Sequence, residues 1–131
     1  MEVGLVFNLR FGRSDMKERG TRGRHFVDLP VAEATSRRDE LTIVDVREPA
    51  ELTADGCIGG ACNVPLGHLL RGAAVPIADY ETPILVVCRS GSRSMQAFLA
   101  LAARGFTRVH NLSEGMLEWR ATGLPTGEPS P

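Results

Sequence analysis

The feature that most constrains this chain is a buried strand that runs straight into a reactive residue. Ile84, Leu85, Val86 and Val87 follow Pro83 as four consecutive apolar residues and end at Cys88. A short apolar run bounded by a breaker reads as a strand covered on both faces, as in a parallel sheet. Four positions beyond Cys88 a helical pattern opens over residues 92–104. Met95, Phe98, Leu99 and Ala102 fall at the i, i+3, i+4, i+7 spacing of a core-facing stripe, and Gly105 supplies the stop. Strand, tight loop and helix in succession commit this part of the chain to an α/β arrangement.

The rest of the chain repeats the alternation. Residues 41–46 are a β-branched run that reads as a buried strand, and residues 61–64 form a short strand ended by Pro65. Residues 66–70 read as a brief helix closed by Gly72. Residues 107–111 are another short strand, and residues 114–121 a final helix behind Ser113 as N-cap, ended by Gly123 and Pro125. Near the start, residues 25–27 suit an edge strand. Asp28 is placed to cap a helix whose Pro30 lies in the first turn, with Val31, Ala34 and Thr35 on one face and Arg37 and Arg38 near its end. Ligands of such sheets sit outside the carboxyl ends of the strands, and Asp45 and Cys88 both fall there.

Composition removes several classes. The 131 residues are the length of one domain, and 43% apolar with 24% charged residues is ordinary for a globular protein. A net charge of −1 argues against a general nucleic-acid binder or an anionic-membrane binder. No apolar stretch approaches the ~20 residues of a membrane helix, and Leu5–Phe7 is too short for a secretory core. Three cysteines, Cys57, Cys62 and Cys88, are not a disulfide framework, and the three histidines are too scattered for a closed zinc site. The expectation is a reduced, cytoplasmic protein. Residues 1–24 carry six basic and three acidic residues among four glycines, and read as a flexible basic extension. Residues 25–125 are the folded domain, and the polar, Pro-rich residues 126–131 read as a flexible tail.

The loop Cys88-Arg89-Ser90-Gly91-Ser92-Arg93 carries the chemistry. The first turn of a helix presents unpaired N–H groups and a partial positive charge. A short loop around a strand end aims successive N–H groups at one point. Gly91 permits a backbone conformation closed to other residues, and Arg89 and Arg93 stay charged at any working pH. A cysteine in such a setting is largely thiolate near neutrality, with a pKa of roughly 3.5–7.5. The thiolate is the competent nucleophile.

Residues 86–94, Val-Val-Cys-Arg-Ser-Gly-Ser-Arg-Ser, resemble the active-site loop of the rhodanese family of sulfurtransferases. Three other blocks agree in order and spacing. Residues 43–48 are similar to the family's Asp-Val-Arg-Glu strand end. Residues 56–65 resemble its Gly-His-Ile-x-Gly-Ala-x-Asn-Ile-Pro segment. Gly105, Phe106, Val109, Leu112, Gly115, Trp119, Gly123 and Pro125 match its closing pattern. The resemblance spans about 100 residues, from Phe26 to Pro125. It implies a single-domain α/β fold, a five-stranded, mainly parallel sheet with helices on both faces. It implies that Cys88 takes a sulfane sulfur from thiosulfate or a related donor and becomes a persulfide. A thiol or cyanide then removes that sulfur. The amides of Arg89, Ser90, Gly91, Ser92, Arg93 and Ser94 would hold the persulfide, and Arg89 and Arg93 would attract the small anionic donor. The family needs no metal or organic cofactor; a glutathione- or thioredoxin-like thiol is the expected acceptor, with no nucleic acid or membrane partner.

Related phosphatases on this fold carry a Cys-x5-Arg loop, whereas Cys88 and Arg93 stand at Cys-x4-Arg. A smaller ring of amides suits one sulfur atom better than a phosphate. The main alternative is a sulfur-carrier or interaction module that hands the persulfide sulfur to a protein partner. Asp45, Arg47 and Glu48 are expected to support the site through ion pairs, because a carboxylate facing a dianion would repel it. Trp119 reads as a core anchor, and His110 as a core or surface residue without an assigned partner. Cys57 stands where the family usually has His. Cys57 and Cys62 read as small packing residues, with a disulfide or a resolving role as alternatives.

Overall fold

The computed structural model describes residues 25–131, so the basic stretch at 1–24 lies outside the described residues. Five parallel strands are described: β1 (His25–Leu29), β2 (Thr42–Asp45), β3 (Cys62–Asn63), β4 (Ile84–Val87) and β5 (Arg108–Leu112). Their spatial order is β1-β5-β4-β2-β3. The helices are α1 (Val31–Ser36), α2 (Pro49–Asp55), α3 (Leu66–Leu70), α4 (Ser92–Ala103) and α5 (Gly115–Ala121). After β2 the chain steps outward to β3. After β4 it steps the other way, to β5. The reversal lies between β2 and β4, and a crevice opens at their carboxyl ends, where Asp45 and Cys88 stand.

The pleat divides the core. Ile43, Leu85, Val87 and Leu112 join Val31, Ala34, Leu52, Met116 and Trp119 on the face covered by α1, α2 and α5. Val44, Ile84, Val86, Cys88 and Val109 join Leu69, Ala97, Leu101 and Phe106 on the face covered by α3 and α4. Successive strand residues point to opposite faces, so Cys88 shares a face with Val86 and Ile84. β4 is fully buried along its length, as the unbroken apolar run requires. Trp119 is buried, and its Nε1 donates to the carbonyl of Pro125 at 2.9 Å. His110 is also buried, with Nδ1 3.1 Å from the carbonyl of Ile84.

Four expectations need correction. The buried stripe of α4 is Ser94, Ala97 and Leu101 with Ala102, while Met95 and Leu99 are 43% and 60% exposed. The loop before α4 fixes its rotation: Ser94 must face Cys88, and at 3.6 residues per turn that carries 97 and 101 inward. Asp28 is no helix cap. It lies in β1 beside its register partner Asn111, and Pro30 occupies the cap position. Ser113 is not the cap of α5, because its amides find other acceptors: Met116 and Leu117 donate to the carbonyls of Cys88 and Arg89, each at 3.0 Å. The residues after Pro125 are not a loose tail. Gly127 donates to Cys57, Gly60 to Glu128 and Ser130 to Ala61, at 2.8–2.9 Å, so the segment is strapped along residues 57–61. Among the described residues, no helix is long and apolar enough to cross a membrane.

Candidate active site

β4 delivers Cys88 to the centre of the sheet's carboxyl edge, and the loop then wraps the sulfur. The amide of Gly91 donates to Cys88 Sγ at 3.0 Å, and Ser94 Oγ lies 3.4 Å away. Burial alone pushes the Cys88 thiol up. The Ser94 hydroxyl and the amides of Ser94, Gly91 and Ser90 outweigh it and hold the thiol below the ordinary cysteine value. The sequence leads to a reachable sulfur; the structure leaves residue 88 only 1% exposed, enclosed while its neighbours' N–H groups face it.

Two glycines make this geometry. Gly91 has φ +106°, and a Cβ there would stand 2.5 Å from the carbonyl oxygen of Ser113. Gly115 has φ +62°, and its Cβ would stand 2.3 Å from the carbonyl oxygen of Arg89. The loop and the turn into α5 therefore interlock backbone to backbone, which only residues lacking a side chain allow.

Beneath the loop runs a hydrogen-bond chain that sequence reasoning missed. Ser94, fully buried, donates to Asn111 Oδ1 and lies 2.9 Å from the carbonyl of Gly91. Asn111 Nδ2 donates to Asp28 Oδ1 at 2.8 Å. A carboxylate only accepts, so Asp28 fixes the amide with its oxygen towards Ser94. The single Ser94 hydrogen then has competing acceptors in Asn111 Oδ1, the Gly91 carbonyl and the sulfur. A Cys88 thiol donates to Ser94 Oγ; a thiolate draws the hydroxyl hydrogen to itself. No local pattern announces Asn111 or Asp28. Their roles come from the β1–β5 register.

The charged groups sort differently from one another. Arg47 and Asp45 are both buried, with Nε and Nη2 of Arg47 donating to the carboxylate at 2.8–3.2 Å. Arg47 Nη2 also donates to the carbonyl of Gly56, and Asn63 Nδ2 donates to the carbonyls of Asp45 and Arg47. Burial opposes the Arg47 charge, yet the Asp45 bonds more than restore it and raise its pKa. Glu48 sits at the cap position of α2, where its amide donates to Glu51 Oε2 at 2.9 Å. Arg93 does not stand free for an anion. Its Nη1 and Nη2 donate to Glu51 at 2.8 and 2.9 Å, a bidentate pair that lowers the Glu51 pKa to about 2 and raises that of Arg93. Arg89 is exposed, and no carboxylate pairs with it among the described residues. Ser90 and Ser92 are exposed; Ser90 serves Cys88 through its amide.

Glu51 and the whole of α2 escape the sequence reading. The available signal is Glu48-Pro49-Ala50-Glu51, a proline in the first helical turn with an acid three residues past the cap. The other two cysteines are free thiols. Cys57 is buried on the opposite sheet face from Cys88, its thiol 3.4 Å from the carbonyl of Gly127. Cys62 lies on edge strand β3, opposite Val44.

A family model for the rhodanese-like domain matches residues 30–122. The chain is 39% identical over 95 residues to a sulfurtransferase of Allochromatium vinosum, covering 70% of this chain and 82% of that protein. It is 35% identical over 86 residues to the thiosulfate sulfurtransferase GlpE of Ectopseudomonas mendocina, covering 66% of this chain and 76% of that one. Two other curated relatives are longer, and the matched regions cover 44% and 49% of them. Among solved structures, a rhodanese-related protein from Thermoplasma volcanium superposes with a TM-score of 0.68 at 27% identity, covering 77% of this chain and 97% of that one.

Proposed function

The chain belongs to the rhodanese-like domain family, and on that premise we propose that it is a sulfurtransferase working through a Cys88 persulfide. The observation that carries this reading is the inward-facing ring at Cys88, with amides and a hydroxyl converging on one sulfur. In the first step the Cys88 thiolate attacks the outer sulfur of thiosulfate. A new S–S bond forms, the old one breaks, and its electron pair leaves with sulfite. In the second step an acceptor nucleophile attacks the outer sulfur of the persulfide, and the electron pair of the broken bond returns to Cys88. Neither departing group needs a proton, so the loop carries no general acid. Its work is electrostatic: fixed N–H dipoles already point where negative sulfur must rest.

Arg89 is the loop cation available to draw the donor in, while Arg93 pinned by Glu51 fixes the position of α4 against α2. The enclosed sulfur means that the loop yields as the donor enters. A second reading, transfer to a protein acceptor, is favoured by the exposed Met95 and Leu99 on the first two turns of α4.

Thiosulfate:cyanide turnover tests the assignment, together with intact-mass detection of a gain of about 32 Da, one sulfur, on Cys88. Cys88→Ser should abolish both. Turnover that survives in that variant overturns the reading.

A further inference from the structure

The charges around the loop are unevenly paired. α2 carries Glu51 and Asp55 one turn apart. Glu51 clamps Arg93 with two bonds. Asp55 meets Arg120 of α5 only at 3.7 Å, with both side chains well exposed. Asp45 closes on Arg47. Arg89 is left without a carboxylate among the described residues, and Arg120 with one long contact. These two cations, with Arg47, Asp55, Met116 and Leu117, line a cleft of about 100 Å³. The cleft adjoins the loop directly, since Met116 and Leu117 are the residues whose amides hold the carbonyls of Cys88 and Arg89.

We propose that this cleft is a subsite for the carboxylate of a low-molecular-weight thiol that accepts sulfur from Cys88, with Arg120 its specificity-determining residue. The inference rests on the sulfurtransferase reading and adds the acceptor's chemistry. A volume near 100 Å³ corresponds to roughly three waters, enough for a carboxylate on a short spacer. Two guanidinium forks match its two oxygens, and Leu117, 44% exposed, offers apolar surface to the spacer. Thiosulfate does not explain the cleft, because its anionic oxygens sit only two bonds from the sulfur delivered to Cys88. The cleft is reached one residue farther along the loop, so its anion belongs on a molecule several atoms long. Arg47 directs Nε and Nη2 to Asp45 and Gly56. In the transfer, the acceptor thiolate bonds to the outer sulfur as the bond from that sulfur to Cys88 Sγ breaks. The electron pair returns to Cys88, the acceptor leaves as its persulfide, and no oxidant or reductant is consumed.

The test loads Cys88 with thiosulfate, removes the excess, and follows discharge to 3-mercaptopropionate, to the neutral 2-mercaptoethanol and to cyanide. Wild type should favour the carboxylate thiol by KM. Arg120→Gln should raise that KM by ~5- to 10-fold, the scale of one charged hydrogen bond at a half-exposed site. Arg120→Lys should recover part of it, with 2-mercaptoethanol and cyanide unchanged throughout. No carboxylate preference in wild type, or an equal loss with both thiols in Arg120→Gln, overturns the subsite while leaving the activity standing. A wild-type chain that discharges to none of the three, or never takes up sulfur, overturns both.

Discussion

Cys57 and Cys88 are buried to the same degree, 0% and 1% exposed, on opposite faces of one sheet. Their acidities move in opposite directions. Burial pushes the Cys57 thiol up, and Asp45 nearby adds to it. Burial pushes Cys88 up as well, yet the hydroxyl of Ser94 and three loop amides bring it below the usual value. The Cys57 thiol is 3.4 Å from a carbonyl, an acceptor that favours the protonated form. Cys88 is surrounded by donors, which favour the anion. Burial therefore does not set the acidity of these two thiols apart; the polarity of their hydrogen-bond partners does.

The sharpest test of that contrast is to remove each sulfur. Cys88→Ser should lower sulfur transfer by more than ~10³-fold, whereas Cys57→Ala should leave turnover within about twofold and cost ~1–2 kcal/mol of stability for the small cavity. Steady-state rates and denaturant midpoints separate the two effects. Next in size is Gly91→Ala, which puts a Cβ against the Ser113 carbonyl in a left-handed conformation. About 1–3 kcal/mol of strain and a displaced amide should cut turnover by ~10²-fold, the scale of losing one preorganised donor. Wild-type turnover in that variant would show that the Gly91 amide is dispensable.

Ser94→Ala takes the hydroxyl from Cys88 without touching Cys57. The Cys88 pKa should rise, because burial opposes the charge with one donor fewer. The midpoint of iodoacetamide alkylation against pH should shift up accordingly, so that the variant reacts several-fold more slowly below it, roughly the scale of one hydrogen bond. An unmoved midpoint would transfer the whole effect to the amides. The smallest effect is expected at Glu51→Gln, which frees Arg93. The folded-state pKa of Glu51 is depressed to about 2 from 4.5, so its pairing stabilises the fold above pH 4.5. That contribution is lost as pH falls from 4.5 towards 2. Because the pair is partly exposed, about 1 kcal/mol is at stake. The wild-type Tm should therefore drop more steeply than the variant's between those pH values. Parallel curves would mean that the pair contributes little.

Much of the site was legible in the chain itself. The apolar run before Cys88, the glycine three residues later and the helix start beyond it describe the cradle before any contact is known. The pleat of β4 even sets the face on which Cys88 lies. Ser94 was legible as a loop amide, but not as the hydroxyl that faces the sulfur. Arg93 was legible as a cation but not as a paired one, because Glu51 lies 42 residues earlier, on a helix signalled only by its first four residues. The apolar spacing of α4 pointed to Met95 and Leu99. Helical periodicity gives the existence of a stripe, while the phase of α4 was set by the need for Ser94 to face the loop.

Local order in sequence determined the α/β alternation, the place of Cys88 at a strand end and the direction of the loop, since each follows from neighbours within a few residues and from steric and dipolar rules that act at that range. Which of the two loop arginines pairs with a carboxylate among the described residues, and which side chains polarise Ser94, only the tertiary structure decided. Those answers depend on Asp28 meeting Asn111 across parallel strands and on α2 lying beside α4 and α5. Electrostatic partnership is a property of distance in space, and the chain brings those groups together only when the sheet closes.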